Sequence, residues 1–235
     1  MKACAPIIAV LIFGASCSEK NAGTSRESIT PEQKAQEAMN LGDYDKAIEL
    51  LAPLVEEQPD EHLRKPLLAA AYAGLVGVDV LAILTRMLSS DSESSSSVFD
   101  QISVFLPEDL DSDDLELMRL SIAVLESIPT ENLGPDGDPD YGVSAEVQLV
   151  LYRTIYTTML LEVLLDLSGG IDLDALRNLS EAEIDMIFSA LRDAALGGAS
   201  DGAIVIGSAA DRTLSDIDAE EGDSDRERLA NHFEG

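Results

Sequence analysis

Apolar residues recur at helical spacing along most of this chain, and capping residues mark where the runs begin. Thr30-Pro31-Glu32-Gln33 is a helix start: Thr30 caps, Pro31 takes the first helical position, and Gln33 completes a capping box. Gly42 ends that helix. A second is predicted from about Tyr44 to Gln58, with Ala47, Ile48, Leu51, Leu54 and Val55 on one face. Pro53 falls inside it and predicts a kink or an early end. Pro59-Asp60 breaks the chain; helices over about 62–76 and 78–88 follow. Ser97 can cap a short helix through Phe105. Leu115, Met118, Ile122 and Leu125 predict another over about 112–128, stopped by Pro129.

The second half is more apolar. A long helix is predicted over about 143–167. Leu149, Tyr152, Tyr156, Met159, Val163 and Leu167 make one stripe, and Val150, Ile155, Leu160, Leu161 and Leu164 a second. A helix apolar on most sides belongs at the centre of a fold. Arg153, Glu162 and Asp166 interrupt the run and argue against a membrane span. Ser180-x-x-Glu183 is a capping box opening a helix to about Leu196, and Asp201 is expected to cap a last helix through Leu214. Ala203-Ile204-Val205-Ile206 could instead be a strand, but no partner strand is evident. The fold class is therefore all-α, with antiparallel helical hairpins stacked as a solenoid or bundle.

Composition divides the chain further. Residues 17–29 are polar with Gly and Ser and read as a tether. The tract 89–97 (SSDSESSSS) reads as a solvated loop. Residues 129–142, acidic and rich in Gly and Pro, read as a linker between a helical region 30–128 and a second region 143–214. Residues 215–235 read as an acidic tail. The chain has 235 residues, with 15 Lys and Arg against 45 Asp and Glu, a formal charge of −30. Such a charge repels phosphate backbones, and without Trp there is little for stacking bases, so nucleic acid is excluded as a partner. The acids are spread along the chain, which suits solubility or salty surroundings better than a dedicated face for a basic partner.

Residues 1–16 read as an address. Lys2 supplies a positive start, Ala5 to Phe13 an apolar run too short to span a bilayer, and Gly14-Ala15-Ser16 lead into Cys17. This order resembles the lipobox of bacterial lipoprotein signal peptides. The family most often has Leu where Gly14 stands, and a secretory signal cut at Gly14-x-Ser16 is the alternative. The resemblance implies removal of 1–16 and attachment of two or three acyl chains, palmitate among them, at Cys17. Ser18, rather than Asp, then implies sorting to the outer membrane, facing the periplasm. The thiol count agrees: of two Cys, Cys4 leaves with the signal, and lipidation consumes the other.

Residues 30–88 carry a second resemblance. Gly42-Asp43-Tyr44-Asp45-Lys46-Ala47, then Leu51, Leu54 and Pro59, are similar to the second half of a tetratricopeptide unit. A shift of 34 residues carries Ala35 to Ala69 and Ala38 to Tyr72. Small residues at Ala35, Ala47 and Ala69 let helices approach, while Tyr and Leu fill the seam. No Trp stands where the family often has one, and no Pro closes the second unit. The resemblance implies a concave partner groove near Tyr44 and Tyr72.

Candidate chemistry is sparse. His62 and His232 have no Cys or second His at ligand spacing, and no nucleophile elbow, phosphate loop or dinucleotide fingerprint occurs. The expectation is no enzyme. Asp136, Asp138 and Asp140 alternate in a Gly-flanked loop that could wrap calcium, although Val147 stands where an EF-hand needs its last ligand. No other cofactor is expected. These readings converge on a lipid-anchored envelope protein that binds or assembles other envelope proteins. The alternatives are a component of a periplasmic solute-uptake system, similar in architecture to the T-component of TRAP transporters and binding a small apolar ligand, and a calcium-stabilised structural lipoprotein. The calcium reading expects millimolar calcium to raise the melting temperature and Asp138→Ala to remove the rise; an unchanged melting curve refutes it.

Overall fold

A computed structural model describes residues 29–78, 80, 83, 98–165 and 173–234. The signal segment 1–16, Cys17 with nearly all of the tether, most of the expected helix 78–88 and the Ser tract 89–97 lie outside the described residues. Among the described residues the regular structure is helical, with no strand. Ala203–Ile206, the strand alternative, is helix.

The first three helices are α1 (Pro31–Asn40), α2 (Tyr44–Glu57) and α3 (Arg64–Leu75). Thr30 and Gln33 form the expected reciprocal cap at 3.3 and 3.0 Å. Gly42 closes α1 with φ +77°, a left-handed turn that glycine adopts without strain. α2 runs unbroken through Pro53. The ring sits on the exposed face, so the carbonyl it leaves unpaired faces water, which removes the expected break.

Short connections make α1, α2 and α3 antiparallel neighbours, and all three pack together. Ala35, Ala38, Ala47, Leu51, Leu68 and Ala71 form a small core between them. α3 belongs to two cores at once. Leu68 and Ala71 face the hairpin, while Ala69 and Ala73 enter the main core on the other side. There α3 meets α5 (Ser112–Glu126), which the short α4 (Val98–Ser103) precedes. Ser121 Oγ donates to the Ala69 carbonyl at 2.7 Å, so the two backbones approach closely.

Past α5 the arrangement changes. α6 (Gly142–Leu165) is a hub: α3, α4, α5, α7 (Leu173–Asn178), α8 (Glu181–Ala195) and α9 (Asp201–Ala219) all pack on it. Leu149, Val150, Leu151, Tyr152, Ile155, Met159, Leu160 and Leu161 are all buried along its length. Among the described residues, α6 is the one helix long and apolar enough to cross a membrane, and most of it is covered by protein. The helices around it share one core running from Ala69 to Ala230. That core crosses residues 129–142, so the expected linker joins two halves of one packed body. α10 (Asp225–Glu234) completes the structure.

The C-terminal segment differs from the expected tail. Leu229 and Ala230 of α10 are buried in the main core, and Arg226 Nη2 donates to the Leu179 carbonyl at 2.6 Å. Leu229, Ala230 and Phe233 make a narrow apolar stripe that the acidic average conceals.

Helices α8 and α9 meet through glycine. A methyl group on Gly207 would stand 2.4 Å from Gly197 Cα, a backbone atom with nowhere to move. Gly207→Ala is expected to cost roughly 1–3 kcal/mol through overpacking, seen as a melting temperature several degrees lower; an unchanged value would show that the crossing yields.

Candidate functional site

Loop 132–142 folds on itself. Gly134 N–H donates to Gly142 O at 3.0 Å, Asp138 N–H to Asn132 O at 3.0 Å, and Gly142 N–H to Asp138 O at 2.8 Å. Gly134 has φ +77°, and a methyl on Gly137 would lie 2.5 Å from Asn132 O. The loop is thus closed by its backbone. Its aspartates do not converge. Asp138 Oδ1 accepts from the Asp140 N–H at 2.9 Å, and Asp136 and Asp140 are exposed. Among the described residues no three His, Cys, Asp or Glu side chains gather as metal ligands. The alternating pattern supplies a backbone-capped turn.

What the loop does hold is a buried carboxylate. Glu146, on the first turns of α6, is only 9% exposed. Its Oε1 accepts from the Ala199 N–H and its Oε2 from the Ser200 N–H, each at 2.8 Å. Those two donors belong to the entry of α9, so Glu146 caps a helix from outside it. Asp201 was the expected cap. Instead the helix begins at Asp201 with Ser200 as its N-cap residue, whose side chain makes no capping hydrogen bond. Gly134 and Gly198 make the seat: methyls there would stand 3.0 Å from Glu146 Oε1 and 2.6 Å from its Cδ. Burial raises the Glu146 carboxyl, but the adjacent Ser200 hydroxyl and the two backbone donors outweigh it, and the group lies below the usual range.

A cation does the reverse job at another helix end. Lys65 is 3% exposed, and its Nζ donates to Ser127 O, at the C-terminus of α5, at 3.0 Å. Negative helix ends favour such a cation. Burial pushes the Lys65 ammonium below its ordinary value, with Asp60 opposing. His62 rests edge-on against Tyr141, with ring centroids 6.4 Å apart. His232 touches Phe233 in the same manner at 5.2 Å. Neither joins a ligand group.

Tyr44 and Tyr72 are both half-buried, and Tyr72 packs against the small core. The Tyr44 ring lies on Gly74, where a methyl would come within 2.2 Å of the ring carbon Cε1. The two tyrosines therefore fill seams of the α1–α3 unit and are only partly exposed.

A concavity lies elsewhere, where α5 and α8 flank α6. It holds about 250 Å³. From α5 come Arg119, Ile122, Ala123 and Glu126, one helix face at i, i+3, i+4 and i+7. From α8 come Met186, Ser189, Ala190 and Asp193 with the same spacing. Arg153 and Tyr156 of α6 make the floor. Arg119 grips Glu116 in a two-bond fork at 2.7 and 2.6 Å. Arg153 Nη2 donates to Glu126 Oε1 at 2.8 Å, while its Nε is buried without an acceptor. Burial raises the Tyr156 phenol, with Arg119 opposing and Glu116 assisting, so the hydroxyl keeps its proton at neutral pH. Sequence reading missed this cleft, because its residues come from three helices and each stripe alone reads as an ordinary amphipathic face.

Comparison with known proteins supplies no relative: no family model, no curated protein and no solved structure matches this chain.

Glu146 makes the acid limb of stability predictable. A carboxyl depressed in the folded state stabilises fully above its unfolded value of about 4.3 and loses that contribution as pH falls through the folded value. Glu146→Gln is expected to cost about 1–3 kcal/mol at pH 7 and to flatten the loss of stability below pH 4.5. Urea titrations at pH 7 and pH 4 check this; parallel pH dependence in both proteins refutes it.

Proposed function

We propose that this chain is a lipid-anchored helical module of the bacterial envelope, held through Cys17 at the outer membrane and facing the periplasm. It works by binding or assembling other envelope proteins, without catalysis. The supporting observation is the two-sided burial of α3, with Leu68 and Ala71 in one core and Ala69 and Ala73 in the other. Stacked hairpins of the tetratricopeptide kind need a helix that packs on both sides, with small residues where backbones approach. Ala35, Ala47 and Ala69 are fully buried, in keeping with that reading. Beyond α5 the hub around α6 would serve as the closing cap of a short stack.

Two measurements test the proposal. Cys17→Ser is expected to move the protein from the membrane pellet to the soluble fraction and to abolish incorporation of labelled palmitate; retention in the pellet overturns the anchor. Cross-linking in intact cells is expected to join the wild-type chain to an envelope protein. Failure to recover any envelope protein at any salt concentration overturns the binding role.

A further inference from the structure

Polar ties between the helices show which of their ends lie together. Arg64 Nε donates to Glu32 Oε1 at 2.7 Å and Arg64 Nη1 to Gln58 Oε1 at 2.8 Å, which joins the start of α1, the end of α2 and the start of α3. His62 against Tyr141 brings the start of α6 to the same place, and Lys65 on the Ser127 carbonyl brings the end of α5. Glu146 adds the end of α8 and the start of α9 through the Ala199 and Ser200 N–H groups. There a methyl on Gly202 would stand 3.1 Å from Val147 Cγ2. These ties define one end of the molecule.

That end collects exposed apolar side chains. Among the described residues nine large apolar side chains are exposed, and six of them stand here. Ile29 precedes α1, Leu63 caps α3, Val143 lies in the first turn of α6, Leu196 follows α8, and Ile204 and Val205 are at the opening of α9. Of the other three, Leu41 follows the far end of α1 and Met186 stands in the cleft. Val104 is close in sequence to Pro107, which neighbours Gly77 beyond the far end of α3. A single exposed apolar residue is ordinary, whereas several sharing one surface mark a contact.

What meets this surface follows from where the chain enters it. The described residues begin at Ile29, on this end, and Cys17 stands twelve residues earlier. Such a length reaches at most about 40 Å. α6 has 24 residues and is about 36 Å long. An acyl anchor at Cys17 therefore holds this end near the membrane, because turning the opposite end to the membrane would use nearly the whole reach in running back along the body. A short link also keeps the surface at an effective concentration of about millimolar, so a shallow apolar contact suffices. Charge selects the lipid. Asp60, Glu61, Asp136, Asp140 and Asp201 are exposed on this end, while Arg64 is paired with Glu32 and Lys65 is buried. These acids repel an anionic leaflet. A zwitterionic headgroup presents its ammonium outermost, as a partner for carboxylates.

We propose that this end of the bundle docks on a zwitterionic lipid surface, with Leu63, Val143, Leu196 and Ile204 entering the headgroup layer. The inference rests on the Cys17 anchor and adds an orientation to it: the starts of α1, α3, α6 and α9 face the leaflet.

The test uses the full chain, extracted from membranes with its anchor and placed in vesicles of phosphatidylethanolamine and phosphatidylcholine. With Cys4 removed and Cys17 acylated, an introduced cysteine is the one free thiol for an environment-sensitive dye. Dye at Leu196→Cys and at Leu63→Cys is expected to shift to the blue in vesicles and to be quenched by nitroxide-bearing lipid. Dye at Leu41→Cys is expected to stay water-like. Added phosphatidylglycerol is expected to reverse the blue shift at low salt, and about 1 M salt, where the Debye length is about 3 Å, to restore it. Water-like dye at all three positions overturns the docking and leaves the anchor standing. Equal quenching at Leu41→Cys overturns the orientation, and a shift indifferent to phosphatidylglycerol overturns the choice of lipid. A blue shift that follows protein concentration without vesicles assigns the surface to a second copy and overturns the proposal as well. Absence of acyl label at Cys17 is the failure of the anchor itself, read before any dye is attached, and the docking falls with it.

Discussion

A helix with apolar side chains on every face has to be surrounded, and α6 imposes that requirement on the rest of the chain. Its exposed positions among the described residues are few, so helices from before and after it in sequence must converge on it. Six described helices do so, and their own amphipathic faces are thereby assigned. The hydrophobic effect supplies the drive without direction. Direction comes from the polar contacts between helices. Ser121 reaches the Ala69 carbonyl, Gln148 the Pro66 carbonyl at 3.4 Å, and Thr157 the Ala190 carbonyl at 3.0 Å. Each ties a side chain to a neighbouring backbone, so it fixes both rotation and axial position.

Helix ends are the second constraint. Their first N–H and last C=O groups lack partners within the helix, and this chain satisfies several of them from a distance. Glu146 closes the start of α9, Lys65 the end of α5, and Arg226 the carbonyl of Leu179 just past α7. In a sequence with three acids for every base, Lys65 and Arg226 are committed to carbonyl groups rather than to the surplus carboxylates. The remaining surface is accordingly more acidic than composition alone conveys.

Local signals were the legible part. The caps at Thr30 and Ser180, the stop at Gly42, the central position of α6 and the small-residue faces of α1 to α3 all followed from neighbours in sequence. What escaped reading depends on residues far apart. Nothing near Ser200 announces that Glu146, 54 positions earlier, caps its helix. The aspartates at 136, 138 and 140 look like ligands because ligands and turn formers are the same residue type; only the hydrogen bond from Asp140 to Asp138 distinguishes them. Leu229 was hidden by the acids around it, since one buried residue per turn barely moves a local average. The cleft had no linear trace, because its walls are three separate stripes.

Helix α3 carries one more implication. Leu68 and Ala69 are consecutive, yet they point into different interiors. Turning α3 about its axis by one residue, about 100°, would exchange the two sets and ruin both fits together. Its azimuth is therefore locked from opposite sides, like a key cut on both edges. Any displacement at the α1–α2 hairpin reaches α6 through a rod that both interiors hold in place.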